Sequence, residues 1–301
     1  MLPELCLGTV QMGLDYGITN LKGRINNDEV IKILDFASRN NINFLDTAQS
    51  YGSSEFVIGK CSSQNSNFRI ISKMSPQFNN SYAGDLEIEW ENIFFESLRN
   101  LNVRFIDSFL LHQSDNLIHP EGKRLLHWLQ SLKQRGLVKR IGVSIYSEQE
   151  LDRLPLSDLQ IIQLPLSLYD QRLIKSGTID SLNKKGIAVH VRSIFLQGLI
   201  LNPASKWPKF LSSEFINHHN NLNKLIKTNG MSLLEIALGF IKSCKNIEAV
   251  VFGVTTLKEL KDIYKIWNNL NYKNEFFSQE SFNKWAWENI KDIDPRTWKN
   301  S

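Results

Sequence analysis

The sequence is expected to fold as an α/β protein, a (β/α)8 TIM barrel with a C-terminal extension. Three observations carry that expectation. Eight short apolar runs recur along the 301 residues, segments of helical period lie between them, and no linker, low-complexity run or charge block interrupts the series.

The strands expected, in order, are ELCLGTV (4–10), NFLDTA (43–48), RIISKM (69–74), IDSFLLH (106–112), KRIGVS (139–144), LQIIQLP (159–165), AVHVRSI (188–194) and EAVVFGV (248–254). They are short and some are almost continuously apolar, as parallel strands covered on both faces must be. Between them, Trp90, Ile93, Phe94, Ser97, Leu98 and Leu101 form one stripe at spacings of three and four. Leu125, Trp128, Leu129 and Leu132 form another, and Gly136 follows where a left-handed cap would end the helix. SEQE (147–150) and TLKE (256–259) have the form of capping boxes at helix starts. A doubly wound open sheet is the alternative. It usually carries a glycine-rich turn after its first strand, and GTVQMG is not G-x-G-x-x-G. The expectation is therefore one domain over 1–301. Residues 270–301 lie outside the eight units, and Trp285, Trp287 and Trp298 there imply a segment that packs on the barrel, over its mouth.

A chain that is 42% hydrophobic and 22% charged can bury a sizeable core. Its net charge of +4 is spread rather than clustered, so no nucleic-acid partner is expected. Cys6, Cys61 and Cys244 are widely spaced and include no C-x-x-C, which points away from a metal cluster or a disulfide framework. The N-terminus lacks an export signal, and no apolar run approaches the roughly 20 residues that span a bilayer. A cytoplasmic protein without membrane partners is expected.

Barrel enzymes place their chemistry at the carboxyl ends of the strands. The second strand ends in Asp46, with Tyr51 in the loop beyond; the third ends in Lys73 and the fourth in His112. The later strands supply Ser144, Gln163, Arg192 and Ser193. Singly, these residues have ordinary structural readings. Asp46 could cap a helix, Tyr51 could be a loop aromatic, and His112 could be a satisfied core histidine. Lys73 is different, because an ammonium closing an apolar strand needs water or a counter-charge. Together, the four make one chemical sense. An ammonium beside a phenol favours the phenolate and lowers its pKa, a carboxylate holds the ammonium, and an imidazole orients a substrate oxygen. That set suits a carbonyl receiving a hydride.

At this point the chain resembles the aldo-keto reductase superfamily. The hallmark Asp-x-Ala-x-x-Tyr-Gly is matched by DTAQSYG (46–52), the lysine after strand three by ISK (Lys73), and Leu-His after strand four by LLH (His112). LGT (7–9), RGLVKRIGVS (135–144), IIQLPLS (161–167), GIAVHVRSIFLQGLI (186–200) and EIALGF leading into AVVFGVTT extend the match along nearly the whole chain. The resemblance implies a barrel that binds NADPH, with NADH the alternative, at its mouth. It makes Tyr51 the general acid-base, Lys73 and Asp46 its tuning pair, and His112 the group that orients the substrate. Thr9 falls in the matched LGT as a cofactor residue. Ser144 and Gln163 match the holders of the nicotinamide carboxamide, and Arg192 stands where an aromatic ring usually stacks on the nicotinamide. Ser193 matches a pyrophosphate contact, and Gly253, Thr255 and Thr256 a phosphate-binding loop. Departures from the pattern are Ile145, where an asparagine is usual, and Glu259 and Ile263, where glutamine and asparagine are usual. Lys258 could pair with a 2′-phosphate.

The stretches LGTVQMGLDYGITN and RSIFLQGLI resemble a bacterial branch associated with surface-polysaccharide and modified-sugar pathways. A small carbonyl substrate, an aldehyde, ketone or keto-sugar, follows from that likeness. Two other readings remain open on the residues: a catalytically silent nucleotide-binding barrel serving as a regulatory or interaction subunit, and a barrel enzyme of unrelated chemistry.

Overall fold

The computed structural model describes residues 2–62, 67–76, 78, 85–273 and 275–298; positions 274 and 299–301 of the expected extension lie outside them. Eight parallel strands close into a barrel, each pairing with its sequence neighbours and β8 returning to β1. They are β1 (Glu4–Gly8), β2 (Phe44–Asp46), β3 (Arg69–Met74), β4 (Ile106–Leu111), β5 (Val138–Ser144), β6 (Ile161–Pro165), β7 (Ala188–Arg192) and β8 (Ala249–Gly253). The open-sheet alternative is therefore excluded. Most strands stop one or two residues short of the apolar run, and the residues beyond, such as Thr47, Ala48 and His112, belong to the loops at the carboxyl ends.

Register fixes which side chains point inward. Gly8 pairs with Asp46, Ser144 with Gln163 and Pro165 with Arg192. Alternation along each strand puts Asp46, Lys73, Ser144, Gln163 and Arg192 on the same side as a buried layer made of Cys6, Phe44, Ile71, Leu110, Ile161, Ala249 and Val251. That layer floors the site. Gly142 belongs to this packing: a Cβ there would lie 2.0 Å from the Ile161 carbonyl oxygen, so β5 and β6 approach as closely as they do only because position 142 has no side chain.

The opposite end is closed by charge. Arg140 donates to Glu248 at 2.7 Å and to Asp107 at 3.1 Å, Arg69 reaches Asp107 at 3.2 Å, and buried His190 lies 2.6 Å from Glu248. These pairs hold Asp107 and Glu248 below the usual carboxylate range, outweighing their burial. Outside the barrel, the helix Leu86–Leu101 buries Trp90, Phe94, Ser97, Leu98 and Leu101, while Ile93 is only half-buried. Gly136 is left-handed at φ 71°, as its position after the helix Gly122–Gln134 implied.

The two expected capping boxes differ. Ser147 and Glu150 close one, but it starts a 3-10 turn, Glu148–Arg153, instead of an α-helix. Thr256 caps the helix Leu257–Asn269, yet the Glu259 carboxylate turns to the Thr255 amide, so the second box is only half made. Beyond residue 270, Trp285, Trp287 and Trp298 are half-buried. Trp287 donates to the Tyr169 carbonyl at 2.8 Å and packs on Phe215, and the Arg296 guanidinium lies 3.6 Å from the Tyr146 ring centroid.

Candidate active site

The loop DTAQSYG is fixed by short-range bonds before any side chain acts. Thr47 and Gln49 donate backbone amides to Ile71 and Lys73 of β3, and the Tyr51 amide closes a turn on Ala48 at 3.0 Å. Gly13 lets the neighbouring turn in. A Cβ on it would lie 1.9 Å from the Tyr51 carbonyl oxygen, a distance no substituent could occupy. Thr9, wholly buried, donates from Oγ1 to the Asp46 carbonyl at 2.9 Å and lies 2.9 Å from Ser54 Oγ. These contacts hold both ends of the loop.

The structure brings the four expected reactive groups together. Lys73 Nζ donates to Asp46 Oδ1 at 2.7 Å and to the Thr47 carbonyl at 2.9 Å, with Lys73 only 1% exposed. It lies 5.2 Å from the Tyr51 ring centroid, and the Tyr51 and His112 rings meet edge to face at 5.7 Å. Burial alone would pull the Lys73 pKa down, but Asp46 and Tyr51 outweigh it and the net direction is up, so the ammonium stays charged. His112 is neutral: burial first, then the Lys73 charge, push it down to about 4.

Tyr51 departs from expectation. Its phenol is pushed up, not down, because burial outweighs the favourable charges of Lys73 and Arg192. The group is thus a protonated phenol beside a buried ammonium.

A single cavity of about 660 Å³ opens above these groups. Of the residues expected at the cofactor, Thr9, Gln163, Arg192, Ser193, Gly253 and Thr255 line it, together with Asp46, Tyr51 and His112. Ser144 and Thr256 do not. Ser144 lies behind Arg192, whose Nε is 3.4 Å from Ser144 Oγ, and Thr256 is turned into its helix cap. Gln163 donates from Nε2 to Asp46 Oδ2 at 2.6 Å, and its Oε1 is buried with no partner. A primary amide arriving in the cavity would supply the missing donor, so the residues fit a nicotinamide carboxamide. Arg192 donates to the Ile145 carbonyl at 3.1 Å, lies 4.0 Å from the Tyr146 ring centroid, and makes no ion pair among the described residues.

Sequence reasoning missed several groups. Ser50, inside the hallmark motif itself, sits 3.1 Å from His112 Nδ1. Tyr146, two residues past the end of β5, lines the cavity and could have been found by position. Tyr16 and Gln197 also line it, on irregular loops that offer no strand end from which to count positions. The loop after β7 is unusual in its backbone: Ser193, Leu196 and Gln197 are left-handed at φ 63°, 48° and 52°. Gln197 Oε1 accepts from the Ile18 amide at 3.1 Å and its carbonyl from Thr19 Oγ1 at 3.0 Å, tying the loops after β1 and β7 together across the cavity.

A closed parallel barrel thus carries Asp46, Tyr51, Lys73 and His112 at its mouth, beside a cavity of about 660 Å³. Residues 4–281 match the family model for the aldo/keto reductase family, and the chain belongs to that family. It is an NAD(P)H-dependent oxidoreductase. The chain is 24% identical over 265 residues to an L-galactose dehydrogenase of Arabidopsis thaliana, covering 80% of this chain and 78% of that protein. It is 33% identical over 95 residues to an uncharacterized oxidoreductase of Bacillus subtilis, a match spanning only 31% of either protein. Among solved structures, the holo form of an aldo-keto reductase from Bacillus halodurans superposes with a TM-score of 0.73 at 20% identity, over 97% of this chain and 95% of that one.

Proposed function

We propose that the protein reduces the carbonyl of a small polar molecule to an alcohol, with Tyr51 giving up the proton. When bound, the nicotinamide supplies the hydride that forms the new C–H bond. The Tyr51 hydroxyl donates its proton to the carbonyl oxygen as negative charge develops there, so the product is a neutral alcohol. The phenolate left behind is stabilised by Lys73, which Asp46 keeps in place, and water returns the proton. His112, being neutral, orients the oxygen with a single N–H and adds no charge of its own. Gln163 Oε1 would hold the carboxamide, with Arg192 beside the ring and Ser193, Gly253 and Thr255 along the rest of the dinucleotide.

The observation that carries this reading is the juxtaposition at one cavity edge of a protonated phenol and a neutral imidazole, with a buried ammonium 5.2 Å behind the phenol ring. A keto-sugar or related polyol carbonyl extends it. That extension rests on the likeness of LGTVQMGLDYGITN and RSIFLQGLI to the sugar-pathway branch, and on the name of the L-galactose dehydrogenase relative. Cytoplasmic placement rests on three free cysteines, two of them buried. The test is to follow oxidation of NADPH and of NADH by the purified protein with a small dicarbonyl and an aromatic aldehyde. Turnover supports the reading; tight cofactor binding with no oxidation across a broad carbonyl panel would favour a regulatory barrel instead.

A further inference from the structure

The cavity that ends at Tyr51 and His112 has a second end, lined by Gly253, Thr255 and Glu259. Hydride chemistry at Tyr51 requires the nicotinamide at the first end, so an extended dinucleotide presents its adenosine half toward the second. The charges waiting there are negative. Glu259 Oε2 accepts from the Thr255 amide at 2.7 Å, and Glu259 Oε1 lies 3.0 Å from Thr255 Oγ1. Glu29, reaching across from another helix, accepts from the Leu257 amide at 2.7 Å. The free amides that begin the helix Leu257–Asn269 are the groups a phosphate would use. Glu29 already holds the first of them, at Leu257, and Glu259 holds the Thr255 amide just before the cap.

The lysine next to Glu259 in the sequence is also committed. Lys258 Nζ pairs with Asp262 at 2.9 Å, is 86% exposed, and does not line the cavity. Among the described residues, the lysine and arginine side chains that do line it are Lys22, on the loop after β1, and Arg192, at the end of β7. A dianionic 2′-phosphate at this end would therefore meet the Glu259 carboxylate and compete with Glu29 for the Leu257 amide. A ribose 2′-hydroxyl would instead find an acceptor in Glu259.

We infer that Glu259, with Glu29 behind it, makes this protein select the dinucleotide without a 2′-phosphate, so that NADH is preferred over NADPH. This reverses the cofactor preference that the family resemblance implies, and it rests on the proposed placement of the nicotinamide at Tyr51. Like charges at a solvated site repel modestly, so the preference is expected to be about tenfold in dissociation constant and to shrink as salt is added.

The test measures binding, not turnover. Dissociation constants of NADH and NADPH are read from cofactor fluorescence for the wild type, Glu259→Gln, Glu29→Gln and Lys258→Gln. The expected result is tighter NADH binding by the wild type, with the ratio between the two cofactors narrowing at least threefold in Glu259→Gln and staying unchanged in Lys258→Gln. Because Glu259 also braces the turn before its helix through the Thr255 amide, Glu29→Gln provides a second variant, expected to narrow the ratio in the same direction. Equal or tighter NADPH binding by the wild type would overturn the inference, as would a ratio indifferent to both glutamate changes. If neither dinucleotide bound, the assignment of the barrel mouth would itself fall, and this inference with it.

Discussion

Lys73 and Asp46 form an ion pair of 2.7 Å inside the barrel mouth, with neither side chain more than 4% exposed. Such a pair is expensive to desolvate, and the Tyr51 ring lies 5.2 Å from its ammonium.

Breaking one side of the pair should therefore cost both stability and activity. Asp46→Ala is expected to lose roughly 3–5 kcal/mol of folding free energy, since it strands a buried ammonium. The double replacement Asp46→Leu with Lys73→Met is expected to recover most of that loss, because no unpaired charge remains, while carbonyl reduction stays absent. Urea denaturation of the three proteins checks this; a double variant as unstable as Asp46→Ala would contradict it.

Ser50 is expected to set the tautomer of His112. The neutral ring has one N–H, and a Ser50 hydroxyl donating to Nδ1 at 3.1 Å leaves that hydrogen on Nε2, facing the cavity. Ser50→Ala should lower kcat/KM by about three- to tenfold, the worth of one hydrogen bond, while Ser50→Thr retains it. Long-range nitrogen–proton spectra of the His112 ring should show one tautomer in the wild type and a mixture in Ser50→Ala.

Acid should destabilise the protein through its buried histidines. Burial pushes His112 and His219 each down from 6.5 to about 4, His219 also sitting between the Tyr169 hydroxyl and the Asn202 carbonyl. Below pH 6.5 the unfolded chain takes up protons that the fold refuses, so stability present above 6.5 is lost progressively as pH falls toward 4. The loss attributable to wholly buried His219 is on the order of 2–3 kcal/mol. The urea midpoint of His219→Gln, which does not titrate, should fall less over that range than the wild type's.

Gly142→Ala is expected to destabilise the barrel by about 2–3 kcal/mol, since the added methyl would lie against the Ile161 carbonyl oxygen and neither strand can retreat without opening a ladder. Thermal unfolding checks it, and an unchanged midpoint would show that β5 and β6 yield more easily than their register suggests.

Much of this was legible in the chain. Eight apolar runs became eight strands because parallel strands buried on both faces have nothing but their hydrophobicity to advertise. Asp46, Lys73 and Gln163 could be located by counting inward positions to a strand end, since alternation fixes side-chain direction. Tyr51 and His112 stand just past such ends and were readable for the same reason. What was not legible depends on distances the sequence does not contain. The sign of the Tyr51 shift is a contest between burial and Lys73 that only the packed site decides. The Glu259 carboxylate looked like half of a capping box until the structure turned it to Thr255. Tyr16 and Gln197 come to the mouth on irregular loops whose left-handed residues, Ser193, Leu196 and Gln197, are of types with no marked preference for that region.

The most direct test of Tyr51 as proton donor is a paired measurement on Tyr51→Phe: carbonyl-dependent cofactor oxidation, and cofactor affinity by fluorescence. Turnover should fall at least about a hundredfold, the usual worth of a positioned general acid, with the dissociation constant within twofold of wild type. Undiminished turnover in Tyr51→Phe would contradict the assignment of Tyr51 outright.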